Sequence, residues 1–393
     1  MDHLRQVVER VLDSPQLTMT ICFAGLYATY YMFYVVRKPY LACGDEKLRK
    51  FITSHCPVVQ ENYWPTWWCF ESRVLTVLRA VIQSKPKVNY VGEKLITPDS
   101  GEIVLDWVEN DDNSKFPKDR RPTVLLMPGL TGSSGENYIL HMVHDASEMG
   151  YRSVVFNNRG TGASTLRTPR TYCAANTEDT EFVINHIKDK YPEAPLMGVG
   201  VSLGGGIMFN YMAYWGSRAR LDAAMIISAP YNLLESSVSM HRPLNYWIFN
   251  RHLARNLRRL FAKNLALFEN HLGIDTAHVL RSESIKDFDE RFTTKIFGYE
   301  SVDHYYTDAS LHTKVHRLAR PVLCLSASDD PFAPHHSIPV KEAEENENIA
   351  IVVTSHGGHI GFMEGTFPRD KNYMYRWFKQ YVSAVFEHGN KKA

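Results

Sequence analysis

Residues 195–206 read Pro-Leu-Met-Gly-Val-Gly-Val-Ser-Leu-Gly-Gly-Gly. A short apolar run leads into a G-x-S-x-G motif, from Gly200 to Gly204, and a helical pattern begins near Leu203. Between a strand and a helix, this motif makes a sharp turn that exposes the Ser202 hydroxyl at the carboxyl end of the sheet. The two glycines let the backbones pass closely. The Leu203 amide is expected at the helix N-terminus, where it can donate to an oxyanion.

A glycine-rich turn before a helix is also typical of phosphate-binding loops. Here no Gly-Lys-Ser/Thr sequence follows, because Ile207 and Met208 occupy the positions where polar residues would be needed. The G-x-S-x-G motif also occurs by chance. A hydrolase assignment therefore depends on whether the chain supplies an acid and a histidine further on.

Short apolar runs separated by helical patterns lie on both sides of the motif. The runs span residues 103–108, 123–127, 153–157, 196–201, 223–228, 321–327 and 348–354. Strands that alternate with helices predict a mainly parallel sheet covered by helices on both faces. The helical region 231–318 interrupts this alternation and is predicted to be a cap over the carboxyl edge of the sheet. Its basic, amphipathic stretch 251–265 indicates either contact with anionic lipid headgroups or a solvated helix face.

An aspartate and a histidine follow the last two predicted strands, so the chain order is serine, aspartate, histidine, as in α/β-hydrolases. Serine needs a base to take its proton, and imidazole does so near neutral pH. A carboxylate on the other ring nitrogen fixes the tautomer and stabilises the imidazolium. Each residue lies where a strand meets a loop, so the three can converge. The sequence therefore predicts an α/β-hydrolase fold with a catalytic triad.

Two members of the triad have a competing candidate nearby. Asp330 is favoured over Asp329 because the Asp-Pro-x-x-Pro sequence begins there, and Asp329 could cap the turn. His359 is favoured over His356 because the two preceding glycines give the loop room to aim the later residue. The loop after the strand 123–127 is expected to supply a second oxyanion donor. The predicted site comprises the side chains of Ser202, Asp330 and His359 and the backbone amides of Leu130 and Leu203, with no metal and no organic cofactor.

Residues 17–36 contain no charged side chain. At 1.5 Å per residue, twenty helical residues span about 30 Å, the thickness of one hydrocarbon core. Three tyrosines lie toward one end, as in an interfacial aromatic belt. A cleaved signal peptide is less favoured, because acidic residues offset the early basic ones and the apolar run is long. The segment is predicted to be a single transmembrane anchor, and the basic residues after it favour a cytosolic C-terminal domain.

The composition and the order of segments along the chain indicate which partners and which domains to expect. The chain has 393 residues and a formal charge of +1, which gives no indication of a nucleic-acid partner. The aromatic-rich segment after the anchor is either a membrane-adjacent shoulder or a segment that wraps the core. The predicted organisation is a tail 1–16, a transmembrane anchor 17–36, a membrane-proximal segment 37–95, a first core part 96–230, a cap 231–318 and a second core part 319–393.

Several longer strings carry a family resemblance: Met127-Pro-Gly-Leu-Thr-Gly132, Phe156-Asn-Asn-Arg-Gly160, Cys173-Ala-Ala-Asn-Thr-Glu-Asp179 and Gly357-Gly-His-Ile-Gly-Phe362. They resemble the AB hydrolase 4 family of membrane-anchored α/β-hydrolase-domain-containing proteins. The similarity runs from the N-terminal segment almost to the C-terminus and is greatest to the subgroup numbered one and three.

The resemblance implies a serine hydrolase that acts on lipid esters, with phospholipase A-type cleavage of phosphatidylcholines of medium chain length. The family's triad corresponds to Ser202, Asp330 and His359. The expected partners are a phospholipid substrate and a membrane. The expected location is an endomembrane, such as that of the endoplasmic reticulum. The family's type II orientation is opposite to the one that the charges favour, and the side of the membrane stays open. A lipid or hormone receptor on a hydrolase scaffold and a small-ester carboxylesterase are the alternatives.

Overall fold

The computed structural model describes residues 6, 13–269, 271 and 273–389. The predicted tail 1–16 therefore lies largely outside the described residues. The strands are β1 (Tyr40–Ala42), β2 (Val91–Ile96), β3 (Glu102–Val108), β4 (Thr123–Met127), β5 (Arg152–Asn157), β6 (Leu196–Val201), β7 (Ala223–Ile227), β8 (Val322–Ala327) and β9 (Ile349–Thr354). The predicted runs match β3 to β9 to within one residue at each end.

The helices of the described residues alternate with these strands outside the cap. The helices are α1 (Pro15–Tyr30), α2 (Glu46–His55), α3 (Ser72–Ile82), α4 (Asn137–Glu148), α5 (Glu178–Lys190), α6 (Leu203–Trp215), α7 (Leu233–Met240), α8 (Pro243–Asn245), α9 (Arg251–Lys263), α10 (Thr276–Leu280), α11 (Ile285–Phe288), α12 (Thr294–Phe297), α13 (Val302–Ala309), α14 (Val340–Glu345) and α15 (Tyr373–His388). Three π-helical turns adjoin them: Tyr31–Val35, Tyr246–Asn250 and Asp289–Thr293.

The strands form one sheet in the order β1-β9-β8-β7-β6-β4-β5-β3-β2. The neighbouring pairs from β5 to β9 along this order are parallel, whereas β1, β2 and β3 pair antiparallel at the two edges. Side chains of a strand alternate between its faces. In β4, Val124 and Leu126 join the core under α4 and α15, and Leu125 and Met127 join the core under α5 and α6. The prediction of a mainly parallel sheet covered on both faces is confirmed.

The membrane-proximal segment 37–95 contributes to both the sheet and the core. β1 pairs antiparallel with β9, with Tyr40 opposite Val353. Ile52, Cys56, Val58 and Tyr63 are buried in the core under α15, so the segment wraps the domain. The predicted boundary at residue 95 falls inside β2. This strand pairs antiparallel with β3 and completes that edge of the sheet, so it belongs to the core. A three-residue strand such as β1 leaves no alternation long enough to predict it from the sequence.

The structure does not show the predicted transmembrane anchor over residues 17–36. The helix α1 has 16 residues, a rise of about 24 Å, and the π-helical turn Tyr31–Val35 follows it. Val35 and Val36 at the end of the predicted span are buried against the rest of the protein. In the part of the chain that the structure describes, no helix combines the length and the apolar character needed to cross a membrane.

The region 231–318 is built of short helices around a small aromatic core of its own. Phe261, Phe268 and Phe292 are buried there, with ring centroids 4.8–5.1 Å apart. The helices α7 and α9 and the π-helical turn Tyr246–Asn250 contribute side chains to a cavity that also contains Ser202. The region thus covers the carboxyl edge of the sheet, where β6 ends.

Candidate active site

Ser202 occupies a strained backbone conformation between β6 and α6, with φ 54° and ψ −119°. A non-glycine residue rarely adopts such angles, so the surrounding structure must hold it there. The Ser202 amide donates to the Ile227 carbonyl of β7 at 2.8 Å, and the Gly206 amide donates to the Ser202 carbonyl at 3.0 Å. The turn is therefore fixed on both sides and presents the serine side chain above the sheet.

The glycines of the motif are required by close backbone contacts. A Cβ atom at Gly204 would lie 2.3 Å from the carbonyl oxygen of Met127 and 2.4 Å from that of Pro128. A Cβ atom at Gly200 would lie 2.4 Å from the Gly204 carbonyl oxygen. These neighbours are backbone atoms of the sheet and the turn, which cannot move aside. The small residues of the motif thus let α6 start directly against β4.

Replacing Gly204 by alanine is expected to lower the free energy of unfolding by about 3 kcal/mol or more, because the new methyl group overlaps two carbonyl oxygens. Gly206 provides a matched control on the same helix, since a Cβ atom there meets nothing within 4 Å. Gly206→Ala is expected to raise the free energy of unfolding by up to ~1 kcal/mol. Denaturant titration of both variants tests the difference, and equal stabilities would contradict it.

The structure brings Ser202, His359 and Asp330 together in a single hydrogen-bonded line. His359 Nε2 lies 2.8 Å from Ser202 Oγ, and His359 Nδ1 lies 2.9 Å from Asp330 Oδ2 and 3.1 Å from Oδ1. Asp330 Oδ1 also accepts the Phe332 amide at 2.7 Å, and the Phe332 ring stacks on the imidazole. His359 and Asp330 are buried. With its proton on Nδ1, the imidazole can accept the proton of the serine hydroxyl.

The loop that carries His359 is held by residues that the sequence analysis missed. The His359 amide donates to Thr76 Oγ1 of α3 at 2.9 Å, and the Ile360 amide donates to Ser228 Oγ at 3.1 Å. Gly358 has a φ of 56°, and a Cβ atom there would lie 2.3 Å from the Ser72 carbonyl oxygen. The membrane-proximal segment therefore supports the histidine through α3. The apolar spacing of α3 predicts a packed helix, but this spacing does not indicate which loop the helix contacts.

The two competing candidates, Asp329 and His356, make other contacts. Asp329 Oδ1 accepts the Gly358 amide at 2.9 Å, so this carboxyl anchors the histidine loop from below. Burial, with a smaller contribution from Asp330, raises the pKa of Asp329 to about 7. His356 Nδ1 contacts Ser355 Oγ at 3.2 Å, and its ring packs edge-on against Phe70. Burial lowers the pKa of His356.

The raised pKa of Asp329 predicts a pH-dependent stability. A carboxyl whose pKa is higher in the folded state holds a proton that the unfolded chain has lost, so its contribution to stability falls from about pH 4 to pH 7. Asn cannot ionise and keeps the acceptor for the Gly358 amide. The difference in the free energy of unfolding between Asp329→Asn and the wild type is therefore expected to grow by on the order of 2 kcal/mol as the pH rises from about 5 to about 8. Thermal unfolding at both pH values tests this, and a pH-independent difference would contradict it.

The two predicted oxyanion donors lie beside Ser202. A Cβ atom at Gly129 would lie 3.2 Å from Ser202 Cβ, so the turn after β4 touches the serine. The Gly129 and Thr131 amides donate to the Tyr138 and Tyr172 hydroxyls, both at 3.0 Å. The amide of Leu130 lies between them, and in the described part of the chain it has no acceptor. Leu203 opens α6, so its amide is one of the helix's free N-terminal donors.

Ser202 and His359 lie in the wall of a cavity of about 640 Å³, which extends into the cap. Its surface is mainly apolar, and cap residues such as Phe249, Leu253 and Phe288 provide much of it. This size is typical of sites that enclose a small organic ligand. The arrangement can therefore bind an apolar acyl group next to a nucleophile, a base and two amide donors.

One group of potential metal ligands lies elsewhere among the described residues. His144, Asp145 and Glu148 of α4 bring one ligand atom each to within 4.8 Å of one another. The ammonium group of Lys379 lies 3.2 Å from the Asp145 carboxylate and 3.0 Å from the Glu148 carboxylate. An ion pair thus already balances these acids, and none of them touches the Ser202 cavity.

Comparisons with known proteins agree with this geometry. A family model described as the alpha/beta hydrolase fold matches residues 122–366. The chain is 48% identical over 375 residues to the Phospholipase ABHD3 of Bos taurus, covering 95% of this chain and 90% of that protein. The Homo sapiens Phospholipase ABHD3 is also 48% identical, with coverage of 95% and 91%.

A solved structure shares the fold at low sequence identity. An acylaminoacyl peptidase of Pyrococcus horikoshii is 13% identical, with a TM-score of 0.50, and the match covers 78% of this chain and 42% of that chain. At this identity the likeness concerns the fold alone. The family match and the extensive identity to curated phospholipases confirm the resemblance drawn from the sequence strings. The chain therefore belongs to the α/β-hydrolase fold family, and it is an ester hydrolase.

Proposed function

We propose that this protein is a membrane-associated phospholipase that cleaves acyl esters of phosphatidylcholine, with a preference for medium-length chains. The observation that carries the proposal is the position of Ser202 and His359 in the wall of an apolar cavity of about 640 Å³. Such a cavity suits an acyl chain rather than a polar substrate. The phospholipase names of relatives that share 48% of the sequence support the same substrate class.

The proposed reaction uses the candidate triad in two steps. His359 Nε2 takes the proton of Ser202 as Oγ adds to the ester carbonyl carbon, while Asp330 stabilises the imidazolium. The amides of Leu130 and Leu203 donate to the resulting oxyanion. His359 then returns the proton to the departing alcohol, a lysophospholipid, and the acyl group stays on the serine. Water gives a proton to His359 as it attacks the acyl carbon, and His359 passes that proton to Ser202 Oγ as the bond between Oγ and the acyl carbon breaks and the fatty acid leaves.

The exposed apolar surface near the cavity supports contact with a lipid surface. Val77 and Val81 of α3 and Ile248 of the cap line the cavity and are each at least two-fifths exposed. Trp247, which directly precedes Ile248, is also exposed. Such a surface around the entrance would let a lipid enter the cavity from a bilayer without crossing water.

The apolar helix α1 connects to this surface through the membrane-proximal segment. The Tyr31 hydroxyl donates to the Pro65 carbonyl, and the Tyr27 ring packs on Phe70. The loop that carries these partners exposes Trp64, Trp67 and Trp68 and leads directly into α3. Tryptophan favours the headgroup level of a membrane. We propose that this face contacts an endomembrane such as the endoplasmic reticulum.

Replacing Val81 by aspartate is expected to weaken binding to phosphatidylcholine vesicles about tenfold, because a charged side chain replaces an apolar one at the lipid contact. Val91→Asp is the matched control, since Val91 of the edge strand β2 is exposed to a similar extent, 68% against 74%, and lies outside the cavity wall. Vesicle co-sedimentation measures both variants. Equal binding by Val81→Asp and the control would contradict the proposed membrane face.

A lipid panel tests the proposed activity. The wild type and the same preparation treated with a fluorophosphonate would be incubated with phosphatidylcholines of graded chain length, diacylglycerols and p-nitrophenyl butyrate, with fatty acid measured by mass spectrometry. We expect fluorophosphonate-sensitive release that is fastest from medium-chain phosphatidylcholines. Release from the small ester alone would indicate a carboxylesterase, and release from none would indicate a ligand-binding protein on this scaffold.

A further inference from the structure

Asp289 places a carboxylate in the wall of the otherwise mainly apolar cavity. It opens the π-helical turn Asp289–Thr293, which interrupts the cap between α11 and α12. Turns of this type are frequent at functional sites, because the extra residue redirects side chains. Protein atoms enclose the carboxyl, while part of its surface remains open to the cavity. The mechanism described above does not use this group.

The charge of Asp289 has no counter-ion in the described part of the chain. Its two oxygens accept hydrogen bonds from Thr293 Oγ1 at 2.7 Å and from the Tyr306 hydroxyl at 2.9 Å, and both donors are neutral. Lys286, the nearest lysine in sequence, instead pairs with Asp303 at 3.1 Å. Burial raises the pKa of Asp289 to about 6, so the carboxylate is mostly ionised at neutral pH. A buried charge of this kind is costly unless a ligand balances it.

Four aromatic side chains line the same cavity as the carboxylate. Phe288 directly precedes Asp289 and Phe292 lies three residues after it. Tyr306 of α13, which follows Tyr305, donates its hydroxyl proton to the Asp289 carboxylate. The rings of Tyr305 and Tyr306 lie 5.4 Å apart, and those of Phe288 and Phe292 lie 5.2 Å apart. The faces of aromatic rings attract cations, and quaternary ammonium groups are bound in proteins by such aromatic surrounds. A carboxylate that shares a cavity wall with these rings thus has the chemistry of a site for a large, weakly hydrated cation.

We propose that Asp289, with Phe288, Phe292, Tyr305 and Tyr306, forms the subsite that binds the trimethylammonium group of a choline headgroup. The inference rests on the proposed function and assigns the headgroup end of that same site. It makes Asp289 a specificity-determining residue, because a lipid whose headgroup lacks a positive charge would leave the carboxylate unbalanced.

The subsite is close enough to the serine to serve one substrate. The Leu203 side chain packs against the buried cluster that includes Cys173, Tyr305 and Tyr306. Leu203 directly follows Ser202, and Tyr306 donates to Asp289. One layer of side chains therefore connects the nucleophile to the carboxylate. The remaining apolar wall, toward Phe249 and Leu253, stays available for the acyl chain.

Binding of two matched amphiphiles to full-length Ser202→Ala protein tests the subsite without hydrolysis. The first is dodecylphosphocholine, and the second is its 3,3-dimethylbutyl analogue, which replaces the ammonium nitrogen by carbon and so removes only the charge. Calorimetric titration below the micelle concentration would be repeated with Ser202→Ala/Asp289→Asn and with Ser202→Ala/Asp308→Asn. Asp308 is an exposed cap carboxylate that binds the Tyr299 hydroxyl and provides the control.

We expect the Ser202→Ala protein to prefer the choline amphiphile about tenfold or more. Asp289→Asn is expected to abolish that preference, and Asp308→Asn to retain it. An unchanged preference in Asp289→Asn, or an equal loss of affinity for both amphiphiles, would overturn the subsite and leave Asp289 a structural residue. Absence of fatty acid release from every lipid of the panel would instead overturn the proposed function, because the binding measurement does not depend on turnover.

Discussion

Ser202→Ala is expected to lower kcat/KM for ester hydrolysis by about 10⁴-fold or more, since removing the nucleophile of a triad leaves only the contributions of substrate binding and the oxyanion donors. The fold should survive the change. The backbone bonds that hold the turn involve the amide and carbonyl of residue 202, and these remain in the variant. Alanine at φ 54° carries the same strain as serine.

Two measurements separate a lost nucleophile from a lost fold. The thermal unfolding midpoint of Ser202→Ala should stay within a few degrees of the wild-type value, while its reaction with a fluorophosphonate probe disappears. Turnover that persists in the variant at the wild-type rate would show that another group performs the attack. Loss of turnover together with a large drop in the unfolding midpoint would leave the nucleophile unassigned, and Ser202→Cys, judged by thiol alkylation, would then decide.

Asp330→Asn is expected to lower kcat by about 10⁴-fold, because an amide at this position donates to His359 Nδ1 and moves the imidazole proton to Nε2. The wrong tautomer cannot accept the proton of Ser202. The prediction depends on the 2.9 Å contact between Asp330 Oδ2 and His359 Nδ1. Steady-state kinetics with a soluble ester measure the loss without the complication of a lipid surface.

The neighbouring carboxyl gives the matched control for this prediction. Asp329→Asn keeps the hydrogen bond with the Gly358 amide and leaves the imidazole tautomer alone, so its kcat should fall by less than about tenfold. Losses of equal size in the two variants would contradict the assignment of Asp330 as the partner of the histidine. A larger loss in Asp329→Asn would reverse it.

Much of the sheet could be predicted from the sequence, because each strand from β3 to β9 is an apolar run bounded by polar turns. The helical spacing of residues 178–190 likewise predicts α5, which spans the same residues in the structure. The edge strand β1 escaped prediction, because three residues carry no alternation and their pairing depends on β9, more than 300 residues away. The prediction of a transmembrane anchor used the uncharged span and the tyrosines at one end of it, and neither feature takes account of the π-helical turn Tyr31–Val35.

The candidate site, like the fold, could be predicted from the sequence only in part. The motif from Gly200 to Gly204 predicts the strand–turn–helix conformation of Ser202, since close backbone contacts exclude side chains at both glycines. The preference for Asp330 and His359 over their neighbours rested on proline and glycine spacing, and the structure brings those two residues to Ser202. Thr76 and Ser228, which hold the histidine loop, have no local sequence signal.

The chain order of the candidate triad can be read from the sequence alone: a serine in a glycine turn, then an aspartate, then a histidine, each after an apolar run. Those features depend on backbone geometry within a few residues, and composition and spacing record such geometry. The support of the histidine by α3 follows from the packed chain alone, and so does the position of Asp289 in the cavity wall without a counter-ion among the described residues. Both features depend on contacts between segments that are far apart in the chain, and such contacts form only when the chain folds.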